Sequence, residues 1–461
     1  MAAIVRKVSF IKQDSDIAFM AGGEVSGQKP EQVAGGKKKS NSMIAIVAVV
    51  IVIIIIGAVV GYEITKPPAK KTAVPSEIKV GILYASTGSY ATSSISEYDG
   101  FSLWAKLINA NGGIMVPQYG KKLPVKIYSY NDASSTSQAT TYYDELITSD
   151  HVNVLVADFG SVLTAPAVSV ALANKVLLID ITGSSANFFN ASNPNPYTVL
   201  TSIPFTPSYV YNAPYDLLSM NITKVAVLYA ENDFTQPLAS ALVSVLAAHG
   251  VTPVYDQGYA TSTSSFSSQL AAIEATHPQA LVEYGYPTDD IPFLNGLASS
   301  GLHFNYTFTI FPGQLFSDFV SSVGANMSYT YTFSFPPEFA YKNVNYGLNQ
   351  SAFETQWNST YPSIPVNYLS LAGYNAGLIL QKALETSTNM TTPSLRAAIN
   401  GFSGKLNTLM GTFTINTTTG AQTGETPPIG QIIPGTGGTF SVRLVYPASL
   451  ATGTPVYPAP T

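Results

Sequence analysis

The sequence predicts an α/β protein with two doubly wound parallel-sheet lobes behind a single transmembrane helix. Three observations support this prediction: an uninterrupted apolar run near the N-terminus, a strand–helix alternation that begins at Ile78, and a second round of that alternation that begins at Lys224. Strands that alternate with helices form parallel sheets that are covered on both faces. Two successive rounds favour two lobes over one large sheet.

The apolar run, Met43 to Val60, contains 18 residues without a charge. At about 1.5 Å per residue it spans roughly 27 Å, which is close to the thickness of a hydrocarbon core. It lies too far from the N-terminus to be an ordinary signal peptide. We therefore predict a membrane anchor over 43–62, a cytoplasmic tail over 1–42 and a Pro/Lys-rich linker over 63–77. A processed leader, cleaved just before the run, is the alternative.

The predicted orientation places the N-terminus in the cytoplasm and the main domain outside the cell. Lysines flank both sides of the apolar run, so the positive-inside rule barely decides the orientation. Every candidate N-glycosylation site follows the run, which supports an extracellular domain. The low charge content and the absence of cysteine suit a harsh, for example acidic, environment. The candidate glycosylation sites are Asn190, Asn221, Asn305, Asn326, Asn349, Asn358, Asn389 and Asn416.

The first round of alternation contains four strand-like runs with helices predicted near 95–110, 136–149 and 162–174. The runs are IKVGILY (78–84), VKIYSYND (125–132), VNVLVADFG (152–160) and VLLIDITG (176–183).

The second round begins with KVAVLYA (224–230) and a helix for which Gly250 is the predicted C-terminal stop. A later helix is predicted near 367–386, followed by two C-terminal strands. The other strand-like runs of this round are PVYDQGYA, ALVEYGY (280–286) and FNYTFTIF (304–311).

Composition excludes several classes of function. The chain has no cysteine, so disulfides, zinc thiolates and cysteine nucleophiles are absent. Its four histidines lack the spacing of a metal-binding helix, and a net charge of −5 gives no reason to expect a nucleic-acid partner. We therefore predict no metal, no cofactor and no nucleic-acid partner.

Three strand ends of the first round carry glycine followed by serine. They are ASTGSYA after the first strand, ADFGSV with Gly160 and Ser161, and DITGSSA with Gly183 and Ser184. Helix N-termini at strand ends present free amides, and glycine lets a ligand approach the backbone. Ser161 therefore has three interpretations: a catalytic nucleophile, a helix cap, or part of a ligand cradle.

The catalytic interpretation lacks support in the sequence. There is no G-x-S-x-G elbow, no recognisable triad histidine, no phosphate-binding loop and no dinucleotide fingerprint. We predict that the protein is not an enzyme, while the cap and the cradle remain compatible with each other.

Several stretches carry a resemblance when they are read in order. The segment INANGGI (108–114), a helix that closes on two glycines, is the most telling, and the similarity extends from about Ile78 to Pro447. The matching stretches are KVGILYASTGSYA, YDGFSLWAKLINANGGI, LPVKIYSYNDASST, VNVLVADFGSVLTAPAVSVALANKVLLIDITGSSA and KVAVLYAENDFTQPLASAL. Together they resemble the branched-chain amino-acid-type periplasmic binding proteins, the substrate-binding components of ABC importers.

The resemblance implies two lobes that are joined by a three-segment hinge and that close on a small ligand. It places the crossings near 200–206, 328–336 and 402–411. The implied divisions are lobe 1 at 78–203 and 332–405, lobe 2 at 204–331 and 406–447, and a tail at 448–461.

The same resemblance implies a binding site between the lobes. The first lobe would hold a ligand carboxylate at Gly160-Ser161 and Gly183-Ser184, and Tyr90 or Ser93 matches the contact after the first strand. From the second lobe, Phe234 resembles the aromatic residue that packs over the ligand, with Tyr284 beside it.

One position departs from the family pattern. Family members that bind amino acids place an acid after the strand corresponding to FNYTFTIF, where this chain has Gln314, with Asp318 a turn further on. A glutamine offers no charge to an ammonium group, and burying an unpaired ammonium is costly. An amide, a small acid or a peptide fragment is therefore an alternative ligand, unless Asp318, Asp233 or Asp289 substitutes for the acid.

The resulting prediction is a membrane-anchored extracellular solute-binding protein of an ABC importer, with permease and ATPase subunits as partners. Its solute would be an amino acid, an amide or a related carboxylate. Two alternatives remain: a ligand-sensing receptor ectodomain, and a structural surface glycoprotein that has lost binding.

Overall fold

The computed structural model describes residues 73–261 and 263–460. Within these ranges no helix is long and apolar enough to cross a membrane. The predicted location, a single-pass membrane protein with an extracellular domain, is corrected accordingly and is not retained. The anchor predicted over Met43 to Val60 lies outside the described residues, as does the tail predicted over 1–42.

The first lobe is built on a parallel sheet. The first seven described strands are β1 (Ile78–Tyr84), β2 (Ile114–Val116), β3 (Lys121–Leu123), β4 (Val125–Asn131), β5 (Val154–Val156), β6 (Leu178–Asp180) and β7 (Thr198–Leu200). Five of them pair in parallel in the order β4-β1-β5-β6-β7, while β2 and β3 form an antiparallel hairpin. The strand order reverses between β1 and β5, and ligands bind at such a switch point in doubly wound sheets.

Three helices follow strands of this sheet: α1 (Ala91–Ala110), α2 (Thr136–Thr148) and α3 (Gly160–Asn174). The α2 helix begins with a side-chain cap, because the Ser135 hydroxyl accepts a hydrogen bond from the Gln138 amide. The α3 helix has no such cap, since the preceding residue is Phe159. Its first amides are therefore available to other acceptors.

The second lobe is built on a seven-stranded mixed sheet. Its strands are β8 (Val225–Ala230), β9 (Tyr255–Tyr259), β10 (Ala280–Tyr284), β11 (Tyr306–Phe308), β12 (Tyr331–Phe333), β15 (Ile429–Pro434) and β16 (Phe440–Tyr446). Two further strands, β13 (Leu406–Thr408) and β14 (Gly411–Phe413), form a separate hairpin. The sheet order is β16-β15-β12-β11-β10-β8-β9, in which β15 and β16 are antiparallel. The parallel part reverses its order between β8 and β10, which gives this lobe its own switch point.

Six helices belong to the part of the chain between β7 and β12. They are α4 (Thr206–Tyr209), α5 (Asn212–Ser219), α6 (Thr235–Ala248), α7 (Ser267–Glu274), α8 (Pro287–Ser300) and α9 (Phe316–Ser322). The α8 helix begins at a proline, and the Asp289 carboxylate accepts the backbone N–H of the capping residue Tyr286 at 3.1 Å. This start fixes Tyr286 at the carboxyl end of β10.

The last three helices are α10 (Gln350–Thr360), α11 (Tyr368–Thr386) and α12 (Thr392–Phe402). The α11 helix packs closely against α1, because a Cβ on Gly373 would lie only 2.0 Å from the Glu97 carbonyl oxygen. The two helices are the longest in the described part of the chain. Neither could cross a membrane, and both carry charged side chains, such as Lys106 in α1 and Lys382 in α11. They form part of the core of the first lobe.

The chain therefore passes between the lobes three times: after Leu200, after Phe333 and before Ile429. Two of these segments are joined, since the Phe205 amide donates to the Gln422 carbonyl at 3.0 Å. The lobe boundaries derived from the sequence stay a prediction, but the α/β architecture with parallel sheets is confirmed.

The C-terminal residues after β16 lie against the second lobe. The Val456 amide donates to the Gln431 side chain at 2.8 Å, and the Ala459 amide donates to the Asn305 carbonyl at 2.9 Å. The segment predicted as a tail at 448–461 is therefore packed over its described length. Seven of the candidate glycosylation asparagines are exposed and Asn389 is partly buried; their glycosylation stays a prediction.

Candidate functional site

The first amides of α3 lie at the switch point of the first lobe. The Gly160 amide donates to the Thr182 hydroxyl at 3.0 Å. The Ser161 amide donates across the lobes to the hydroxyl of Tyr286 at 3.1 Å. Gly160 has a φ of +70° and a Cβ there would lie 2.7 Å from the Tyr286 oxygen, so the close approach requires glycine.

The Ser161 side chain has a structural partner of its own. Its hydroxyl oxygen accepts the Ser185 amide at 3.1 Å, and the residue is fully buried. This bond ties the start of α3 to the loop after β6. The donor that α3 presents to the other lobe is thus the backbone of Ser161, not its hydroxyl.

Gly183 and Ser184 lie in the loop after β6 but do not line the space between the lobes. The Gly183 amide donates to the Asp180 carboxylate at 2.7 Å, and a Cβ on Gly183 would collide with Thr164. The Ser184 carbonyl accepts both the amide and the hydroxyl of Thr206, at 2.8 and 2.9 Å. These two residues support the loop between β6 and the first crossing.

Tyr286 lies at the centre of the contact between the lobes. Its ring packs edge-on against Tyr90 and Phe159 of the first lobe, with centroid distances of 5.1 and 5.7 Å. Within the second lobe it contacts Phe234 at 5.3 Å and Phe311 at 6.0 Å. Predicted site residues Tyr90, Gly160, Ser161 and Phe234 therefore converge on a residue that the predicted site did not include.

Tyr284 and Gln314 occupy different surroundings. Tyr284 is fully buried at the end of β10, where its ring packs against Phe308 and Phe333. Gln314 is 2% exposed, and its side-chain amide donates to the Tyr209 hydroxyl at 2.7 Å. Tyr284 is thus a core residue of the second lobe, whereas Gln314 reaches the interlobe cluster through Tyr209.

Around Tyr286 the facing surfaces of the lobes leave a cavity of only about 10 Å³. That is about the smallest space that holds one water molecule. Aromatic side chains fill the rest, so a solute can enter only when the lobes separate. The cavity is lined by Phe159, Gly160, Thr182, Ile203, Tyr209, Phe234, Tyr286, Phe311 and Tyr368.

Three buried carboxyl groups lie behind the strand ends of the first lobe. The Glu97 carboxyl accepts the Thr182 hydroxyl at 2.6 Å, and Asp158 accepts the Ser94 hydroxyl at 2.5 Å. Burial raises the pKa of Glu97, Asp158 and Asp180 well above the ordinary carboxyl range. Burial therefore favours the uncharged form of these carboxyl groups.

The signal for Tyr286 was present in the sequence. The stretch YPTDD has proline at the second position and two acids in the following turn, which marks a helix that starts at Pro287. The capping residue, Tyr286, is the residue that projects from a strand end. Tyr284, two residues earlier, still belongs to β10. Phe159 and Thr182 lie in the strand-end stretches ADFGSV and DITGSSA, but nothing in those stretches distinguishes them from their neighbours.

Comparison with known proteins assigns the family. A model of the periplasmic binding protein family matches residues 77–429. The chain belongs to this family. The resemblance to branched-chain amino-acid-type binding proteins is thereby confirmed, and the family is one of substrate-binding proteins rather than enzymes.

Individual relatives are distant. The Leu/Ile/Val-binding protein homolog 8 of Brucella suis is 22% identical over 266 residues, which cover 53% of this chain and 60% of that relative. The chain therefore aligns with less than two thirds of the relative's length.

Solved structures match a larger share of the chain. A branched-chain amino acid transporter substrate-binding protein from Streptococcus pneumoniae, in complex with isoleucine, has a TM-score of 0.63 and 18% identity. The match covers 80% of this chain and 100% of the Streptococcus pneumoniae protein. A solute-binding protein of an ABC transporter from R. palustris, in complex with benzoate, has a TM-score of 0.64, 17% identity and coverages of 79% and 95%. At identities this low, the structural likeness shows a shared fold and nothing more specific.

Proposed function

We propose that this periplasmic binding protein captures a small carboxylate-bearing solute between its lobes and delivers it to an ABC importer. Family membership supports binding of a solute, and the permease and ATPase partners follow from the family alone. The solute class, an amino acid, an amide or a related carboxylate, includes the isoleucine and benzoate bound by two proteins of similar fold.

The observation that carries the proposal is the hydrogen bond from the Ser161 amide to Tyr286. An uncapped helix start that reaches across the lobes for an acceptor oxygen is a suitable donor for an anion. A ligand carboxylate is a stronger acceptor than a phenol. In the proposed cycle the lobes open, Tyr286 leaves the start of α3, and the carboxylate takes its place.

The carboxyl groups behind the site fit this proposal, because burial raises the pKa of Glu97 and Asp158 and so favours their uncharged forms. At the start of α3 the positive end of the helix dipole would attract the ligand carboxylate. Aromatic rings of Tyr90 and Phe234 would contact the apolar part of the solute, as they now contact Tyr286.

A direct test is calorimetric titration of the full chain with isoleucine, glutamine and benzoate, each beside the matching neutral compound, isoleucinamide, glutaminamide or benzamide. Loss of the carboxylate should abolish the binding of whichever solute binds. If none of the carboxylates binds, or if a neutral compound binds as well as its acid, the proposed role of the α3 amides is wrong.

The small cavity favours one alternative, a protein that has lost binding. With about 10 Å³ around Tyr286, the site is filled by its own side chains. The two functions differ in the response of the wild-type chain: a solute-binding protein shows a solute-dependent rise in melting temperature, whereas a permanently closed one shows none with any solute of the panel.

A further inference from the structure

Each lobe carries a pair of buried carboxyl groups at its strand ends. In the first lobe the pair is Asp132, directly after β4, and Asp158, two residues after β5. In the second lobe it is Glu283, in β10, and Asp290, in the first turn of α8. All four residues are at most 2% exposed. The two carboxyl groups of each pair lie within hydrogen-bond reach of each other.

The pair of the first lobe uses one oxygen of each carboxyl group for other bonds. Asp132 Oδ1 accepts the Ser134 amide at 2.9 Å, and Asp158 Oδ1 accepts the Ser94 hydroxyl and the Phe159 amide. The other oxygens, Asp132 Oδ2 and Asp158 Oδ2, receive no hydrogen bond from another residue, and they are left for the contact between the two groups. A carboxylate oxygen can only accept, so this contact lacks a donor unless one group carries a proton.

The pair of the second lobe repeats this arrangement. Glu283 Oε1 accepts the Tyr259 hydroxyl, and Asp290 Oδ2 accepts the Phe311 amide at 2.8 Å. Glu283 Oε2 and Asp290 Oδ1 are buried and receive no hydrogen bond from another residue. Buried polar atoms in folded proteins almost always have a partner. A proton between the two groups supplies that partner in both lobes.

No basic residue neutralises either pair. A buried charge without a partner costs free energy, and two adjacent carboxylates repel each other. A shared proton lowers both costs, and burial raises the pKa of all four carboxyl groups. In the part of the chain that the structure describes, the neighbouring titratable groups are acids and phenols: Glu97, Tyr143 and Asp180 in the first lobe, and Tyr209, Tyr259 and Asp289 in the second.

Both pairs adjoin the contact between the lobes. Asp158 precedes Ser161 by three residues, and its carboxyl group holds the amide of Phe159, the capping residue of α3. Asp290 lies in the first turn of the helix that Tyr286 caps, and its amide donates to the Tyr286 carbonyl at 2.9 Å. A displacement at either pair therefore moves one partner of the hydrogen bond between Ser161 and Tyr286.

We propose that each pair shares one proton, and that loss of these protons separates the lobes. At acid pH the shared protons hold the starts of α3 and α8 in place. As the pH rises, each proton passes to the solvent and leaves two buried carboxylates that repel each other, so the Ser161 amide and the Tyr286 hydroxyl move apart. An ordinary carboxyl group has lost its proton a little above pH 4, and a shared proton is retained to higher pH. This switch goes beyond the proposed function, because it requires neither a solute nor an importer.

The test is small-angle X-ray scattering of the full chain, without solute, from pH 4 to pH 9. The radius of gyration of wild type should be constant at acid pH and should increase as the pH rises. Asp158→Asn combined with Glu283→Gln should abolish the increase. Each new amide donates an N–H to the remaining carboxylate, and its oxygen still accepts the bonds of the original carboxyl group. The double variant thus has at every pH the donor that wild type has only when protonated.

Asp216→Asn is the matched control. Asp216 is also a buried acid, but its carboxyl group accepts the Tyr306 hydroxyl and has no second carboxyl group as partner. Its replacement should leave the dependence of the radius of gyration on pH as in wild type. The comparison covers the pH range in which circular dichroism shows all the chains folded.

Infrared spectroscopy measures the shared protons themselves. The spectrum of wild type should contain C=O stretching bands of protonated carboxyl groups that disappear as the pH rises. Asp158→Asn and Glu283→Gln, made singly, should each remove one of these bands. This readout separates the loss of a shared proton from a change in packing, because a change in packing alone leaves the number of protonated carboxyl groups unchanged.

A radius of gyration that is independent of pH in wild type, or that changes equally in wild type and in the double variant, would overturn the proposal. Retention of all protonated-carboxyl bands in both single variants would overturn it as well. If a variant does not fold, Asp132→Asn or Asp290→Asn places the amide on the other member of the pair. No solute is present in these experiments, so failure of the switch and failure of carboxylate binding give different results.

Discussion

The hydroxyl of Tyr286 lies 3.1 Å from the backbone nitrogen of Ser161 and accepts its hydrogen bond across the two lobes. These residues are 125 positions apart in the chain and belong to different sheets. The contact occupies the amide that a ligand carboxylate would need. Closure of the lobes and binding of the solute therefore compete for one donor.

Tyr286→Phe removes that competitor and keeps the ring. The closed form without ligand loses one hydrogen bond and retains an unpaired amide, at a cost of about 1 kcal/mol. We expect the chain without ligand to open, with a larger radius of gyration in small-angle X-ray scattering. The affinity for the carboxylate should rise about fivefold in calorimetry.

Tyr284→Phe is the matched control. The Tyr284 hydroxyl is buried and has no hydrogen-bond partner among the described residues, so its removal should leave stability equal or higher. Neither the radius of gyration nor the affinity should change. Identical behaviour of the two variants would mean that the bond between Tyr286 and Ser161 does not hold the lobes together.

The strand–helix rhythm of the sequence predicts both parallel sheets, because buried parallel strands appear as short continuous apolar runs. It does not predict that β15 and β16 join the second sheet in antiparallel pairing, since strand pairing is decided by tertiary contacts. The helix start at Gly160 is visible in the sequence for a local reason, the glycine and serine after an apolar run. Local patterns therefore predict elements and their ends well.

The residues that contact these strand and helix ends lie far away in the sequence. Tyr286 approaches Gly160 only because each lobe places the end of a central strand at its switch point and the two points face each other. No spacing in the sequence encodes that contact.

Buried acids predict an unusual dependence of stability on pH. Asp216 is 1% exposed and accepts the Tyr306 hydroxyl at 2.9 Å, and burial raises its pKa to about 7. An unfolded aspartate has a pKa of about 4. Because the pKa is higher in the folded state, the contribution of Asp216 to the free energy of unfolding is complete below pH 4. That contribution is lost as the pH rises from about 4 to 7.

Asp216→Asn should remove that loss. The asparagine oxygen still accepts from Tyr306 but cannot ionise, so the variant should equal wild type at pH 4. At pH 8 its free energy of unfolding should exceed that of wild type by up to about 4 kcal/mol. Urea denaturation of wild type and variant at pH 4, 6 and 8 measures the two free energies of unfolding. An unchanged slope of stability against pH would show that Asp216 is ionised in the folded protein.

Gly160→Ala tests the close approach of the lobes. The new Cβ would lie 2.7 Å from the Tyr286 oxygen and 3.1 Å from a carbon of its ring, so the closed form cannot be reached without displacing Tyr286. We expect a larger radius of gyration for the chain without ligand, because the added Cβ prevents the closed form that Tyr286 makes with the start of α3. A positive φ adds a strain of about 1 kcal/mol of its own, which a control must separate from the steric contact.

Gly250→Ala provides that control. Gly250 has a φ of +79°, close to the +70° of Gly160, but no atom lies within 4 Å of its added Cβ. Its replacement should lower stability by about 1 kcal/mol and leave the scattering profile and solute affinity unchanged. Combining Gly160→Ala with Tyr286→Phe removes the nearest colliding atom and should partly restore closure. Lack of any restoration would place the obstruction elsewhere than at the Tyr286 hydroxyl.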